Sequence, residues 1–210
     1  MSLATYKQRD FVRRESEILD ALTHRLNRTP FDQITIDQIA QQTGISKGTI
    51  YNHINTKEDL LAKLYIRFRL QLLSELEAVN FNQPAPIIIK DMIAKAFAYK
   101  QSHRVIGTID HHAFAPNFKS KLTPDIRNQI EQIEDNINQL VISVLQRGIN
   151  EGDFPKRPVE DLFHCLHCAI IGIFTRIWEC DTEPIPPNQI ASICNLYSDF
   201  ILAGLLALDD

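Results

Sequence analysis

Between Thr35 and Leu61 the apolar positions follow two short helical spacings separated by a turn signal. Ile36, Ile39 and Ala40 recur at the i, i+3, i+4 spacing of one helix face, and Thr35 with Gln38 three residues later forms a capping box. The helix is expected to end at Thr43-Gly44, because glycine takes the left-handed C-terminal conformation without a Cβ penalty. Ser46 then caps a second short helix, in which Ile50, Tyr51 and Ile54 share a buried side. A helix, a short turn with glycine and a second helix make the helix-turn-helix spacing, whose second helix can enter the major groove of DNA. Lys47, Gly48, Thr49 and Asn52 point outward and are small or hydrogen-bonding, which suits an approach to base edges. Tyr51 and His53 add polar tips near the end of that helix. Thr56 with Asp59 caps a third helix, and its first residue, Lys57, sets a cation beside amides suited to phosphate.

On either side the pattern stays helical. Residues 1–9 lack periodicity and are expected to precede the first helix, either as a basic arm of Lys7 and Arg9 joined by Arg13 and Arg14 or as a solvated tail. From Phe11, the positions Ile18, Leu19, Leu22 and Leu26 mark an amphipathic helix that stops before Pro30. Leu60, Leu61, Leu64, Tyr65, Phe68, Leu72 and Leu76 predict a long helix leading out of the DNA-facing module, a mechanical connector. The stretch from Asn80 to Pro86 is the clearest break. A helix with Met92, Ile93, Ala96 and Phe97 inward follows it, then a short one through Val105, Ile106 and Ile109 that ends near Phe114 to Pro116. Thr123-Pro124 opens the longest element, with Ile126, Ile130, Ile133, Ile137, Leu140 and Val144 on one face and Gly148 and Gly152 at its end. Two helices led by Pro158 and by Pro186-Pro187 are apolar on more than one face. Such a pair needs two partners, its own core and either a second copy of the same surface or a thicker monomer core. The class is all-α: a three-helix DNA-binding domain over residues 1–56 and a larger helical domain over 57–210.

The string from Thr35 through IAQQTGIS and KGTIYNHI to Lys57-Glu58-Asp59-Leu60-Leu61 resembles the N-terminal module of the tetracycline-repressor (TetR) family of bacterial transcription regulators. The resemblance covers roughly residues 10 to 65. Ile54 stands where that family usually has an aromatic, and Thr29-Pro30-Phe31 stands where it often has glycine; both departures concern packing. It implies Lys47, Thr49 and Asn52 as base or groove contacts, with Ser46 and Gly48 alongside, and Thr35, Tyr51, His53 and Lys57 as phosphate contacts. It also implies dimerisation through the last two helices, for which Leu166, Ile170, Ile173, Ile177, Ile193, Tyr197, Phe200 and Gly204 are the candidates.

Charge changes the picture only when divided along the chain. The net charge of -4 is unlike a DNA binder, yet residues 1–69 carry 11 Lys/Arg against 8 Asp/Glu while residues 70–210 carry 11 against 18. A small basic module joined to an acidic domain that does not touch DNA accounts for the division, as does chance. With 44% hydrophobic and 23% charged residues, no apolar run near 18 residues and no leader pattern, the chain reads as an ordinary cytoplasmic protein that meets no membrane. Its four cysteines form no disulfide framework, which agrees with a reducing compartment.

His164-Cys165-Leu166-His167-Cys168 offers four metal-ligand atoms, but one helix cannot wrap them around a single ion. The cysteines are expected to serve as small hydrophobes and the histidines to bond in the core or a dimer seam. With no phosphate loop and no nucleophile elbow, no enzyme, metal or cofactor is expected. Two functions stay open: a repressor binding a palindromic operator as a homodimer and released by a small apolar effector, or a dimeric DNA-occupying protein controlled by another protein. The first needs a pocket, for which Phe97, His103, Phe114, Phe118, Phe163, His167, Phe174 and Trp178 are candidate lining residues; the alternative is that these aromatics fill a core.

Overall fold

A computed structural model describes residues 3–113, 115, 117–179 and 186–207, with no account of the side chains of residues 3–5, 178–179 and 187–188. The described residues form helices α1 (Leu3–Leu26), α2 (Ile36–Thr43), α3 (Lys47–Ile50), α4 (Lys57–Glu77), α5 (Ala85–Ser102), α6 (Val105–Ala113), α7 (Pro124–Glu151), α8 (Val159–Phe174) and α9 (Pro187–Leu206), and none of them is in a strand. The chain divides into two compact units, Met1–Phe68 with Thr108–Ile130, and Arg69–Gly107 with Glu131–Asp210. The boundary expected at residue 56 lies inside the first unit.

In the first unit α1 packs on α2 and α2 on α3. Ile18, Leu22, Ile39, Ile50, Leu60, Leu61, Leu64 and Ile109 are its most deeply buried large side chains, so the periodic positions of all four N-terminal helices, and of α6, turn inward. α1 starts at Leu3, not at Phe11. Its added turns are stitched by Arg13 to Asp10 and Glu17 and by Arg14 to Asp10, so two arginines of the expected basic arm are already paired. Lys63 to Glu15, and Arg67 to Asp20 and Thr23, tie α4 to α1.

In the second unit α5 packs on α9 and α8 on α9, around Leu76, Ile88, Ile89, Phe97, Ile133, Leu145, Phe154, Leu162 and Ile201. Pro84 opens α5 with Pro86 in its first turn, where a missing N–H costs nothing. α7 runs 28 residues, or ~42 Å at ~1.5 Å per residue. It passes through Gly148 and ends at Gly152, whose φ is +82°. A Cβ on Gly148 would meet the Phe154 ring at 2.3 Å and Ala85 at 2.8 Å, so this glycine serves close packing and not termination. The π-helical turn Thr175–Glu179 extends α8. Contrary to the expected lack of long apolar runs, Gln189–Leu206 reaches a mean hydropathy of 1.3 over 18 residues, long and apolar enough on those grounds to cross a membrane. Its Ile190, Cys194, Ile201 and Leu205 are nevertheless buried in the second unit's core, as in a core helix of a bundle.

Candidate nucleic-acid interface

The reading elements are fixed by local capping. Thr35 accepts from the Gln38 amide at 3.3 Å and gives its own amide to the Gln38 side chain at 2.9 Å, closing the capping box of α2. Gly44, at φ +69°, ends the helix in the left-handed region. The Thr43 hydroxyl accepts from the Ile45 amide at 3.2 Å while Ile45 is buried, which fixes the turn. Ser46 then accepts from the Thr49 amide at 3.1 Å and shares a hydrogen bond with the Thr49 hydroxyl at 2.8 Å. α3 is a single helical turn continued by turn residues to His53, so its α-helical part is shorter than the spacing suggests.

Ile50 and Ile54 face the core as expected, whereas Thr35, Ser46, Lys47, Gly48 and Asn52 are exposed and Thr49 is half-buried. A Cβ on Gly48 would meet only Ser46 Oγ, at 4.0 Å, so a base or phosphate can come close there. Two expectations fail. Tyr51 is 45% exposed and does not join the buried side, because the chain leaves the α3 helix at that residue. His53 is buried, its ring stacked on Phe11 at 4.0 Å, with Nδ1 3.6 Å from Glu15 Oε2. Burial pushes the His53 pKa down against the pull of Glu15, so a neutral packed ring stands where a phosphate contact was expected.

Lys47 lies 2.8 Å from Asp37 Oδ1, and this hydrogen bond raises its pKa, so it must exchange a carboxylate for DNA. At the start of α4, Thr56 accepts from the Asp59 amide at 2.9 Å, and Asp59 Oδ2 accepts from the amides of Asn55 and Thr56, each at 3.3 Å. Asp59 Oδ1 takes the Thr123 amide at 3.1 Å. Lys57 Nζ sits 4.4 Å from the centre of the Phe31 ring and donates to the Asp32 carbonyl at 3.2 Å. Burial lowers its pKa, opposed by Asp32 and Glu58. Phe31, Asp37 and Thr123 were not anticipated as partners, since only the fold brings them to the reading elements.

The candidate pocket residues divide. Phe97 meets Phe174 edge-on at 5.0 Å and Tyr197 at 6.4 Å, and buried Lys100 lies 4.5 Å over Phe174. Phe163 stacks on His167 at 5.3 Å, and burial, helped by Arg69, pushes the His167 pKa down against Glu134. His103 Nδ1 is 2.9 Å from the Tyr99 carbonyl. Phe118 is buried in the first unit and so does not join this group; Phe114 and the Trp178 side chain lie outside the described residues. An open cleft of about 480 Å³ is lined by Phe81, Asn82, Gln83, Pro84, Arg147, Glu151 and Asp153, a polar set unlike the expected pocket. Among the described residues no three potential metal ligands converge.

Of the expected dimer residues, Leu166 is buried in the second unit's own core, because its turn of α8 faces inward. Ile170, Ile173, Ile177, Ile193 and Tyr197 are half-buried, the last donating to the Ala169 carbonyl at 2.7 Å. Gly204 is exposed, as are Phe200 at 72% and Leu196 at 71%. Cys165 and Cys168 are exposed too.

Two short helices around a glycine turn, both capped, with a small polar edge held outward from a packed three-helix base, define a helix-turn-helix DNA-binding regulator. Residues 18–64 match the family model of the bacterial regulatory proteins of the tetR family. It is 24% identical over 196 residues to the uncharacterised HTH-type transcriptional regulator YhgD of Bacillus subtilis, covering 92% of this chain and 97% of that one. It is also 24% identical to the HTH-type transcriptional repressor BepR of Brucella suis, over 70% of this chain and 71% of the relative. In fold it is similar to FadR of Bacillus subtilis in complex with stearoyl-CoA, with a TM-score of 0.72 and 19% identity over 90% of this chain and 98% of that one.

Proposed function

We propose that this regulator is a cytoplasmic repressor that binds a palindromic operator as a homodimer and is released by a small, largely apolar effector. The observation that carries the reading is the open edge of Ser46, Lys47, Gly48 and Asn52 beside Lys57 at the head of α4: the first four reach base edges and Lys57, with Thr35 and Tyr51, reaches phosphates. Dimerisation is supported by Leu196, Phe200 and Gly204 on α9 and Gly172 on α8, an apolar, glycine-bearing surface exposed in the single chain. Effector control is supported by the likeness to a regulator seen with stearoyl-CoA.

Selection from random DNA tests the whole reading. The enriched sequences are expected to be palindromic, with half-sites about one helical turn apart. Compounds that raise the melting temperature of the free protein are expected to lower its affinity for the selected duplex by the same factor by which the duplex lowers theirs. Enrichment of no palindrome overturns the operator; stabilising compounds that leave DNA affinity unchanged overturn effector release.

A further inference from the structure

Lys47 and Lys57 are both read as DNA contacts, yet the fold holds them differently. Lys47 is held by the carboxylate of Asp37 and must surrender an ion pair to meet a phosphate. Lys57 is held by the face of Phe31 at 4.4 Å and by the Asp32 carbonyl at 3.2 Å, so its charge remains available to an anion. The carbonyl occupies one of the three donors of the ammonium. The Phe31 ring is itself buried, and the His112 ring of α6 packs on it at 5.2 Å with an interplanar angle of 59°. All four residues belong to the first unit.

We propose that Phe31 and His112 are positioning residues for DNA binding: His112 fixes the Phe31 ring, and the ring holds the Lys57 ammonium where it meets a phosphate. A lysine left free at the surface would lose the freedom of a four-carbon stem on binding, whereas this one has lost much of it beforehand. The arrangement requires His112 to be neutral. Lys57 of α4, Asp32 of the short turn Phe31–Gln33 and His111 beside it in α6 are the charged and titratable groups that face it. Burial, with His111 and Lys57, pushes the His112 pKa down, against Asp32. A proton on His112 would set a second cation against the ring that holds the first.

The proposal rests on reading Lys57 as a phosphate contact, and a double-mutant cycle keeps the two claims apart. The full chain is titrated with a 30-base-pair duplex of arbitrary sequence at low salt, where phosphate contacts supply the binding. Lys57→Ala is expected to weaken binding. Phe31→Leu and His112→Gln are each expected to weaken it about threefold to tenfold, and to cost nothing further in the Lys57→Ala background. His112 is half-buried, so H112Q serves even if Phe31→Leu fails to fold. The advantage of wild type over Lys57→Ala is expected to shrink between pH 8 and pH 5.5 and to stay constant in H112Q. If Lys57→Ala binds like wild type, the phosphate reading fails and the positioning with it. If Lys57→Ala weakens binding but the other two losses persist undiminished in its background, or are absent, only the positioning is overturned. Tighter binding by Phe31→Leu would mean that the ring parks the ammonium away from DNA, and a flat pH profile in wild type would overturn the part given to His112.

Discussion

With 1% of its surface exposed, Asp59 accepts the amides of Asn55 and Thr56 on one oxygen and the Thr123 amide on the other, so its removal strands three donors and not one. Asp59→Ala is expected to cost about 2–4 kcal/mol in urea unfolding, above the ~1 kcal/mol of an ordinary cap. Histidines set a second expectation. His53, His112 and His167 are each shifted below the usual histidine value, chiefly by burial. The unfolded chain therefore takes up protons near pH ~6.5 while the folded one does so only at lower pH. Their contribution is complete above that range and is lost as pH falls through the folded values. His53→Phe keeps a ring on Phe11 without a titrating group, so the unfolding midpoint of that variant is expected to fall less between pH 7.5 and pH 5.5 than that of wild type. At the interface, Asn52→Ala is expected to relax sequence choice in selection from random DNA, while Lys57→Ala is expected to flatten the salt dependence of binding by about one unit of slope.

Among elements, α7 offers the sharpest test. Alanine is ~1 kcal/mol better than glycine inside a helix, yet overpacking costs about 1–3 kcal/mol, and a Cβ at Gly148 would overlap the Phe154 ring. Gly148→Ala is expected to lose about 2 kcal/mol by urea unfolding; a gain would show that Phe154 moves aside freely. The same glycine shows where reading along the chain stops working. Thr35, Gly44 and Ser46 could be placed because caps and turns are decided by residues three or four apart. Gly148 has the look of a helix end along the chain, since its partners, Phe154 and Ala85, meet it only after folding. The burial of His53 is hidden from the sequence for the same reason: Phe11 and Glu15, which cover it, lie some forty residues earlier. The ring that holds Lys57 was invisible as well, since Phe31 and His112 are separated by two long helices.

For the whole molecule the account requires that two reading heads act together, and the exposed side chains of α9 are where it is most open to contradiction. A charge at Phe200, 72% exposed in the single chain, leaves the core of each chain intact and places a carboxylate in the proposed seam. The decisive measurement is light scattering on wild type and Phe200→Asp, alone and with the duplex recovered by selection. Wild type is expected at twice the 24.1 kDa chain mass, binding as two chains per duplex. Phe200→Asp is expected at 24.1 kDa, with an unchanged helical spectrum and lost high-affinity operator binding. A wild-type protein that stays at 24.1 kDa at micromolar concentration while binding the selected duplex tightly would contradict the account.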